Sequence, residues 1–345
     1  MPAVTRGKVL VTGANGFVAA WVVYDLLKQS YSVRATVRSE NKSTHLRNVF
    51  GSYGDRLEIV VVEDITKEGA FDEAVQGVDA IEHIASPCHP GTDDPQDMII
   101  PAVNGTLGIL QSARAHGSNV QRVVITSSCA TIAEYTNPPR VFTEYDWNEK
   151  AVVEVKAKKR DAHPISKYRA SKVLAERAAW NFVEEHKGDL QWDLVVLCPS
   201  YVFGPMIHEV KSLDTMNASM NGWYQWALKG LFDPTRLDIE GFNWVDVRDL
   251  ANAHVLAIQK MEAAGSRVIV SQGPWDWYEC IDVCRQCGVE TPVKEQRPRA
   301  TAIPHQWTYD TSKAEKILGI RFRSLRDSTN DIIQDLRSKG WIEVQ

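Results

Sequence analysis

Short apolar segments that look like β-strands alternate with helix-like segments over the first two-thirds of this 345-residue chain. The strand-like segments cover residues 8–13, 31–38, 57–64, 78–86, 120–128 and 192–199, and a long helix is predicted around 95–116. These segments are apolar throughout rather than at alternate positions, which is typical of a parallel sheet whose two faces are both covered by helices. The predicted fold class is therefore α/β, with a doubly wound parallel sheet.

This alternation ends after Pro199. The residues that follow are rich in Gly, Pro, Met and Trp and show little periodicity. We predict a larger sheet domain over residues 1–199, to which residues 240–265 return. Residues 200–239 and 266–345 are predicted to form a smaller domain that carries the C-terminal helices.

Composition and charge exclude several classes of function. The net charge of −5 gives the chain no excess of basic surface for nucleic acid or an anionic membrane. No apolar run approaches the ~20 residues that a membrane-spanning helix needs. The N-terminal segment MPAVTRGKVLVTG reaches the first strand without room for a signal peptide. We therefore expect a cytoplasmic protein with no nucleic-acid and no membrane partner.

Three of the six cysteines, Cys280, Cys284 and Cys287, follow the spacing C-x3-C-x2-C. This spacing can hold an iron–sulfur cluster, but positions i, i+4 and i+7 also share one face of a helix. A buried cysteine on such a face behaves as a small apolar residue. Since no fourth ligand lies nearby in the sequence, we predict a helix here and no metal site.

The first strand runs into a glycine-containing turn, VTGANGFVAA, at residues 11–20. Gly13 permits a tight turn, Gly16 allows the backbone to approach a pyrophosphate, and Ala19 lets the next helix pack closely on the sheet. The start of that helix offers free N–H groups and a partial positive charge to an anion. An ordinary turn is the alternative, but the place of the motif favours a dinucleotide-binding loop. The predicted loop contacts are Gly13, Ala14, Asn15, Gly16, Phe17 and Val18.

The end of the second strand indicates which dinucleotide binds. An NAD-preferring site has an acid there for the ribose 2′-hydroxyl, but residues 33–39 contain none and Arg38 stands in its place. A guanidinium pairs well with a 2′-phosphate, and Lys42 supplies a second positive charge. The alternative is that both are solvated surface cations; the missing acid favours NADPH. Asp64 and Ile65, just after the third strand, are predicted to meet the adenine.

Tyr168 and Lys172 are spaced i, i+4 in the helix-like segment PISKYRASKVLAERAAW, so their side chains lie on one helix face. A neighbouring ammonium lowers the pKa of a phenol from about 10 and makes it a usable proton donor near neutral pH. Such a pair alone is equally compatible with a surface contact. However, Ser128 ends the fifth strand, and Ala85 and Ser86 end the fourth, at the carboxyl edge where doubly wound sheets bind ligands. We therefore predict one cleft that contains all of these residues.

Together these segments resemble the extended short-chain dehydrogenase/reductase superfamily, and within it the fungal NADPH-dependent carbonyl and aldehyde reductases, relatives of plant dihydroflavonol 4-reductase. The segments that carry the resemblance run in the same order over roughly residues 7–260: VLVTGANGFVAAWVV, YSVRATVRSENK, VVEDI, DAIEHIASP, RVVITSS, YRASKVLAERAAW, CPSYVFGP and NWVDVRDLANAHV. The resemblance implies a Rossmann-type nucleotide-binding domain and a smaller substrate-binding domain.

The resemblance also implies roles for individual residues. Ser128, Tyr168 and Lys172 match the catalytic triad, and the tyrosine and lysine also match cofactor contacts. The remaining cofactor contacts that it implies are Pro199, Val202 at the nicotinamide, and Ser219.

We therefore predict an NADPH-dependent reductase that converts a small aldehyde or ketone to an alcohol, with Tyr168 as the proton donor. The protein is expected to be a monomer or a homodimer. The substrate pocket is expected to be apolar, with candidates from the variable region: Met206, Met216, Trp223, Trp226, Phe242 and Trp244.

Two alternatives remain open. A nucleotide-sugar epimerase or dehydratase on the same fold would need tightly bound NAD and basic residues for a diphosphate, and Arg38 in place of the acid argues against it. A non-catalytic regulator that binds NADP(H) would usually lack the tyrosine–lysine pair, which is intact in this sequence.

Overall fold

The computed structural model describes residues 3–86, 93–231, 242–275, 277–292 and 307–343. The strands of this part, β1 to β12 in chain order, are Lys8–Val11, Ser32–Val37, Leu57–Val61, Ala80–His83, Arg122–Thr126, Arg140–Phe142, Asp193–Pro199, Tyr201–Phe203, Phe242–Asp246, Arg267–Val270, Gly273–Trp275 and Trp307–Tyr309. Its α-helices, α1 to α10, are Phe17–Lys28, Ser43–Phe50, Gln96–His116, Glu149–Lys158, Pro164–Glu185, Ala218–Trp223, Val247–Gln259, Trp277–Gln286, Ser312–Leu318 and Leu325–Ser338. A π-helix, Tyr224–Leu228, continues α6 directly.

Seven of the strands form one parallel sheet in the order β10-β7-β5-β4-β1-β2-β3. The six strands predicted for the first two-thirds of the chain all belong to it. The strand order reverses between β1 and β4, so the carboxyl ends of these two strands flank a crevice of the kind in which such sheets bind ligands. The predicted doubly wound α/β fold is confirmed.

Successive residues of the central strands are buried on opposite faces of this sheet. In β1, Val9 and Val11 belong to the core that α1 and α7 cover, whereas Leu10 belongs to the core that α3 and α5 cover. All three side chains are fully buried. Burial on both faces is the physical reason that these strands read as continuous apolar runs.

The edge strand β10 extends the large sheet. Arg267–Val270 pair in parallel with Val196–Pro199 of β7, and all four residues of β10 are buried. This strand lies in the segment 266–345, which the sequence assigns to the smaller domain, so the sheet continues past the predicted boundary at residue 266. The division into two domains otherwise stays a prediction, and parts of both segments of the smaller domain lie outside the described residues.

A second core lies beyond the large sheet. It gathers α6, α8 and α10 with a small sheet in the order β11-β9-β8. Of the candidate pocket residues, Met206, Met216, Trp223 and Trp244 are buried in this core, and Trp226 packs against it. These side chains therefore serve packing in the structure, and the side chain of Phe242 lies outside its described part.

The three-cysteine segment forms helix α8, as predicted, and continues into the turn after it. Cys280 and Cys284 are buried in the second core, and the half-buried Cys287 donates a hydrogen bond from Sγ to Oδ1 of Asn330 at 2.8 Å. Within the described ranges, no cluster of three or more His, Cys, Asp or Glu side chains is arranged to hold a metal ion. None of the helices in those ranges is both long enough and apolar enough to cross a membrane.

Candidate active site

The turn between β1 and α1 has the geometry of an anion-binding loop. Gly13 adopts a φ of +64°, and a Cβ atom there would lie 3.1 Å from Cβ and 3.2 Å from Cα of Ala85. A side chain at position 13 would therefore press the loop away from the end of β4. Gly16 is the N-cap residue of α1 and has no side chain to cap the helix, so the N–H groups of the first turn are left for a ligand.

The other predicted loop residues have different environments. Ala14 is buried, and its N–H donates to the carbonyl of Thr36 in β2. Asn15 and Val18 are half-buried beside the turn. The side chain of Phe17 belongs to the second core, with its ring centre 5.3 Å from that of His208. The backbone N–H of Phe17 lies in the first turn of α1, and the side chain of Phe17 packs α1 against the second core.

Thr12 connects the phosphate loop to the end of β4, a link that the sequence analysis missed. Its Oγ1 accepts hydrogen bonds from the N–H groups of Ile84, at 3.1 Å, and Ala85, at 3.0 Å. The hydroxyl hydrogen is then directed to Nδ1 of His83, 3.1 Å away. Burial, and secondly the charge of Lys172, lower the pKa of His83 from 6.5 to about 3. His83 is therefore neutral at physiological pH and carries its proton on Nε2.

The tyrosine and lysine lie on α5, which begins at Pro164 where Nδ1 of His163 accepts the first free N–H. Tyr168 is 37% exposed, so a ligand can reach its side chain. Nζ of Lys172 donates to Oγ of Ser86 at 2.9 Å. The lysine of α5 thus reaches the carboxyl end of β4, where the phosphate loop also lies.

Ser128 follows β5 at the same edge of the sheet. Its Oγ accepts the N–H of Ala130 at 3.1 Å and so caps a short 3-10 turn, Cys129–Thr131. Helix α5 packs against this turn. The structure therefore places the turn of Ser128 against the helix of Tyr168 and Lys172, and Lys172 of that helix against Ser86, just after the strand end beside the phosphate loop.

The predicted 2′-phosphate residues follow β2. The side chain of Arg38 is exposed. Nζ of Lys42 lies 3.7 Å from Oε2 of Glu209, so a carboxylate from beyond the large sheet already contacts this cation. The segment that carries Glu209 is anchored to α2, because Nε2 of His45 hydrogen-bonds to the carbonyl of Ile207 at 2.8 Å.

The predicted adenine residues lie just after β3. Oδ1 of Asp64 accepts hydrogen bonds from the N–H and Oγ1 of Thr66, at 2.9 and 2.7 Å. These bonds lower the pKa of Asp64, with a smaller contribution from the charge of Arg38. Ile65 is half-buried against α3, where its Cδ1 would lie 3.2 Å from a Cβ atom on Gly105.

The remaining predicted cofactor contacts meet where the large and small sheets join. Oγ of Ser219 donates to the carbonyl of Val202 at 2.7 Å and accepts from Nδ2 of Asn217 at 2.9 Å. Pro199 is buried at the end of β7. The structure thus brings Val202 and Ser219 together although 17 positions separate them.

Comparison with known proteins adds independent information. Residues 9–271 match the family described as the NAD dependent epimerase/dehydratase family. The chain is 36% identical over 344 residues to the ketoreductase azaE of Aspergillus niger, with 95% of this chain and 97% of that protein covered. It is 34% identical over 351 residues to the NADPH-dependent methylglyoxal reductase GRE2 of Saccharomyces cerevisiae, with 97% and 99% covered.

Two solved structures are also similar to this chain over nearly its whole length. The crystal structure of Gre2 from Candida albicans in complex with NADPH superposes with a TM-score of 0.85 at 31% identity, over 96% of this chain and 98% of that one. The yeast methylglyoxal/isovaleraldehyde reductase Gre2 complexed with NADPH superposes with a TM-score of 0.82 at 32% identity, over 97% and 100% of the two chains.

Proposed function

Because this chain belongs to the NAD dependent epimerase/dehydratase family, we propose that it is an NADPH-dependent reductase that converts aldehydes or ketones to alcohols. The relatives named as a ketoreductase and an NADPH-dependent methylglyoxal reductase support this proposal over nearly the whole chain. The observation that carries it is the contact between Lys172 and Ser86, at 2.9 Å. That contact joins the helix of the reachable Tyr168 to the strand end beside the phosphate loop.

The residues present fit NADPH. The free N–H groups at the start of α1, behind Gly16, suit the pyrophosphate. Arg38 and Lys42 suit the 2′-phosphate, which an acid at the end of β2 would repel. When bound, the reduced nicotinamide supplies the hydride that the carbonyl carbon accepts. The 3.7 Å contact between Lys42 and Glu209 means that the phosphate competes with a carboxylate for this lysine.

Side chains of the protein then orient and protonate the carbonyl oxygen. Tyr168 donates its phenolic proton as negative charge develops on that oxygen, and the ammonium of Lys172, one helical turn away, stabilises the phenolate that remains. The hydroxyl of Ser128 donates a hydrogen bond that orients the carbonyl. The ammonium of Lys172 would also hold the nicotinamide ribose by hydrogen bonding.

Tyr168→Phe tests the proposal. We expect NADPH oxidation with a panel of aldehydes, diketones and aryl ketones to fall by roughly 10²- to 10⁴-fold, since the proton donor is lost. The dissociation constant for NADPH, followed by fluorescence titration, should stay within about twofold because the ring remains. Tyr145→Phe, at a site that is 90% exposed, is the control and should keep full activity. Full activity of Tyr168→Phe would contradict the mechanism.

The two rival functions make different predictions. An epimerase or dehydratase would be purified with NAD bound and would cause no net oxidation of added NADPH. A non-catalytic regulator would bind NADPH but oxidise it with no member of the carbonyl panel. Arg38 at the end of β2 and the intact tyrosine–lysine pair are the features that favour the reductase.

A further inference from the structure

A buried ion pair lies directly behind the candidate site. Glu176 of α5 and Arg267 of β10 are 2% and 7% exposed, and Nε of the arginine lies 2.5 Å from Oε1 of the glutamate. The chemistry proposed above uses neither residue. A buried ion pair is destabilising unless its remaining hydrogen-bonding groups also have partners. The hydrogen-bond partners of these two side chains therefore identify the segments that the ion pair holds in place.

All five donors of the Arg267 guanidinium are occupied. Its Nη1 donates to the carbonyls of Glu144, at 2.9 Å, and Asp146, at 2.6 Å. Its Nη2 donates to Oγ1 of Thr131 at 2.8 Å and to the second oxygen of Glu176 at 3.4 Å. The guanidinium also stacks 3.8 Å above the ring of Trp147. Arg267 therefore has one fixed orientation.

Two hydrogen bonds connect this pair to the backbone on either side of Ser128. Oγ of Ser127 donates to Oε2 of Glu176 at 2.5 Å, so the residue before Ser128 is tied to the glutamate. Oγ1 of Thr131 accepts from Arg267 and donates to the carbonyl of Ser128 at 2.8 Å. The turn that presents Ser128 is thus held by both members of the ion pair.

The glutamate also lies on the helix that presents the other two groups. Glu176 follows Lys172 by one helical turn and Tyr168 by two, on the same rigid α5. One carboxylate consequently links the helix of the proton donor to the strand end that carries the serine hydroxyl.

We propose that Glu176 and Arg267 are positioning residues that hold Ser128 in register with Tyr168 and Lys172 through Ser127 and Thr131. This inference rests on the proposed reductase function. A displacement of about 1 Å between catalytic groups can cost roughly 10²-fold in rate. Loss of either connection should therefore lower kcat, while the binding of NADPH, which depends mainly on the phosphate loop and Arg38, should change little.

Ser127→Ala is the test, because it cuts one connection and leaves the ion pair intact. We expect kcat for a carbonyl substrate to fall about 10- to 100-fold, with KM and the NADPH dissociation constant within about twofold of the wild type. Ser112→Ala is the matched control: its buried hydroxyl donates to the carboxylate of Asp72 at 2.6 Å, on α3 and away from Ser128. Like Ser127→Ala, this control removes a hydrogen bond from a buried serine hydroxyl to a carboxylate. It should lower the stability by a similar amount and leave kcat unchanged.

A double-mutant cycle with Ser128→Ala adds a second readout, by single-turnover NADPH oxidation with enzyme in excess. Once the hydroxyl of Ser128 is gone its position no longer matters, so Ser127→Ala should then cost less than about twofold. An equal loss in both backgrounds, or kcat of Ser127→Ala equal to that of Ser112→Ala, would overturn the positioning role alone. A wild-type protein that reduces no carbonyl would overturn the proposed function together with this inference.

Discussion

At the scale of single residues, one cation after β2 is the proposed source of the preference for the phosphorylated dinucleotide. The side chain of Arg38 is exposed, and its charge contributes to the lowered pKa of Asp64. Lys42 is the weaker candidate, since Glu209 lies 3.7 Å from its ammonium. A planar guanidinium forms two parallel hydrogen bonds with a phosphate, which an ammonium cannot do. We therefore assign most of the preference for NADPH to Arg38.

Arg38→Ala should raise the KM for NADPH about 10- to 100-fold, the worth of a hydrogen bond between charged groups. The KM for NADH should change little, because NADH has no 2′-phosphate. Steady-state kinetics with both cofactors provides the measurement. Arg114→Ala, which removes an exposed arginine from the far end of α3, should change neither value. Equal losses with NADPH and NADH would exclude the phosphate-binding role.

At the scale of elements, the turn from β1 to α1 depends on the contact between two strand ends. Gly13 has a positive φ, and any side chain there meets Ala85. Thr12, the preceding residue, holds the backbone of the same segment through two hydrogen bonds. The loop is therefore shaped both by its own glycines and by the end of β4 behind it.

Gly13→Ala should lower the affinity for NADPH at least tenfold and destabilise the fold by more than the ~1–2 kcal/mol that a positive φ alone costs an L-residue. The matched control is Gly319→Ala, at the end of α9. This glycine has a φ of +69°, but a Cβ there meets nothing within 4 Å. The control should cost only the ~1–2 kcal/mol of the positive φ and leave NADPH binding intact. Urea unfolding and NADPH titration measure the two effects, and similar behaviour of both variants would show that the contact with Ala85 is unimportant.

At the scale of the whole molecule, buried neutral histidines link stability to pH. His83 has its pKa lowered from 6.5 to about 3, mainly by burial. His208, against Phe17 in the second core, has its pKa lowered to about 4, again mainly by burial. Between these values and 6.5 the unfolded chain binds protons that the folded chain does not. The stability that these two neutral histidines contribute is therefore complete above about pH 6.5 and falls as the pH decreases through this window.

From pH 7 to pH 5, His83 should account for the loss of about 2 kcal/mol of unfolding free energy. His83→Asn keeps an acceptor for the Thr12 hydroxyl without a titrating ring, so its loss over this range should be smaller by that amount. His116→Asn, at an exposed position at the end of α3, should behave as the wild type does. Urea unfolding at the two pH values gives the comparison. An identical pH dependence of His83→Asn and the wild type would mean that His83 takes up a proton in the folded state.

Features set within a single element could be predicted from the sequence. The apolar runs of β1 to β5 and β7, the glycines of the phosphate loop and the i, i+4 spacing of Tyr168 and Lys172 all depend on local geometry and on a repeating pattern of burial. These features identified the fold class. They also located the loop, the helix and the strand ends that carry the residues of the candidate site.

Features that depend on distant pairing could not be predicted in this way. Glu176 and Arg267 are 91 positions apart, and in the sequence each looks like an ordinary surface charge. Thr12 and His83, β10 in the large sheet, and Phe17 in the second core are of the same kind. The packing of whole elements determines which groups these residues contact. A buried charge or hydrogen-bonding group is stable only where the folded chain provides a partner of opposite charge or a hydrogen-bond partner. The sequence by itself thus determined the elements and the groups they carry, and the tertiary structure alone decided which buried polar groups hold those elements in register.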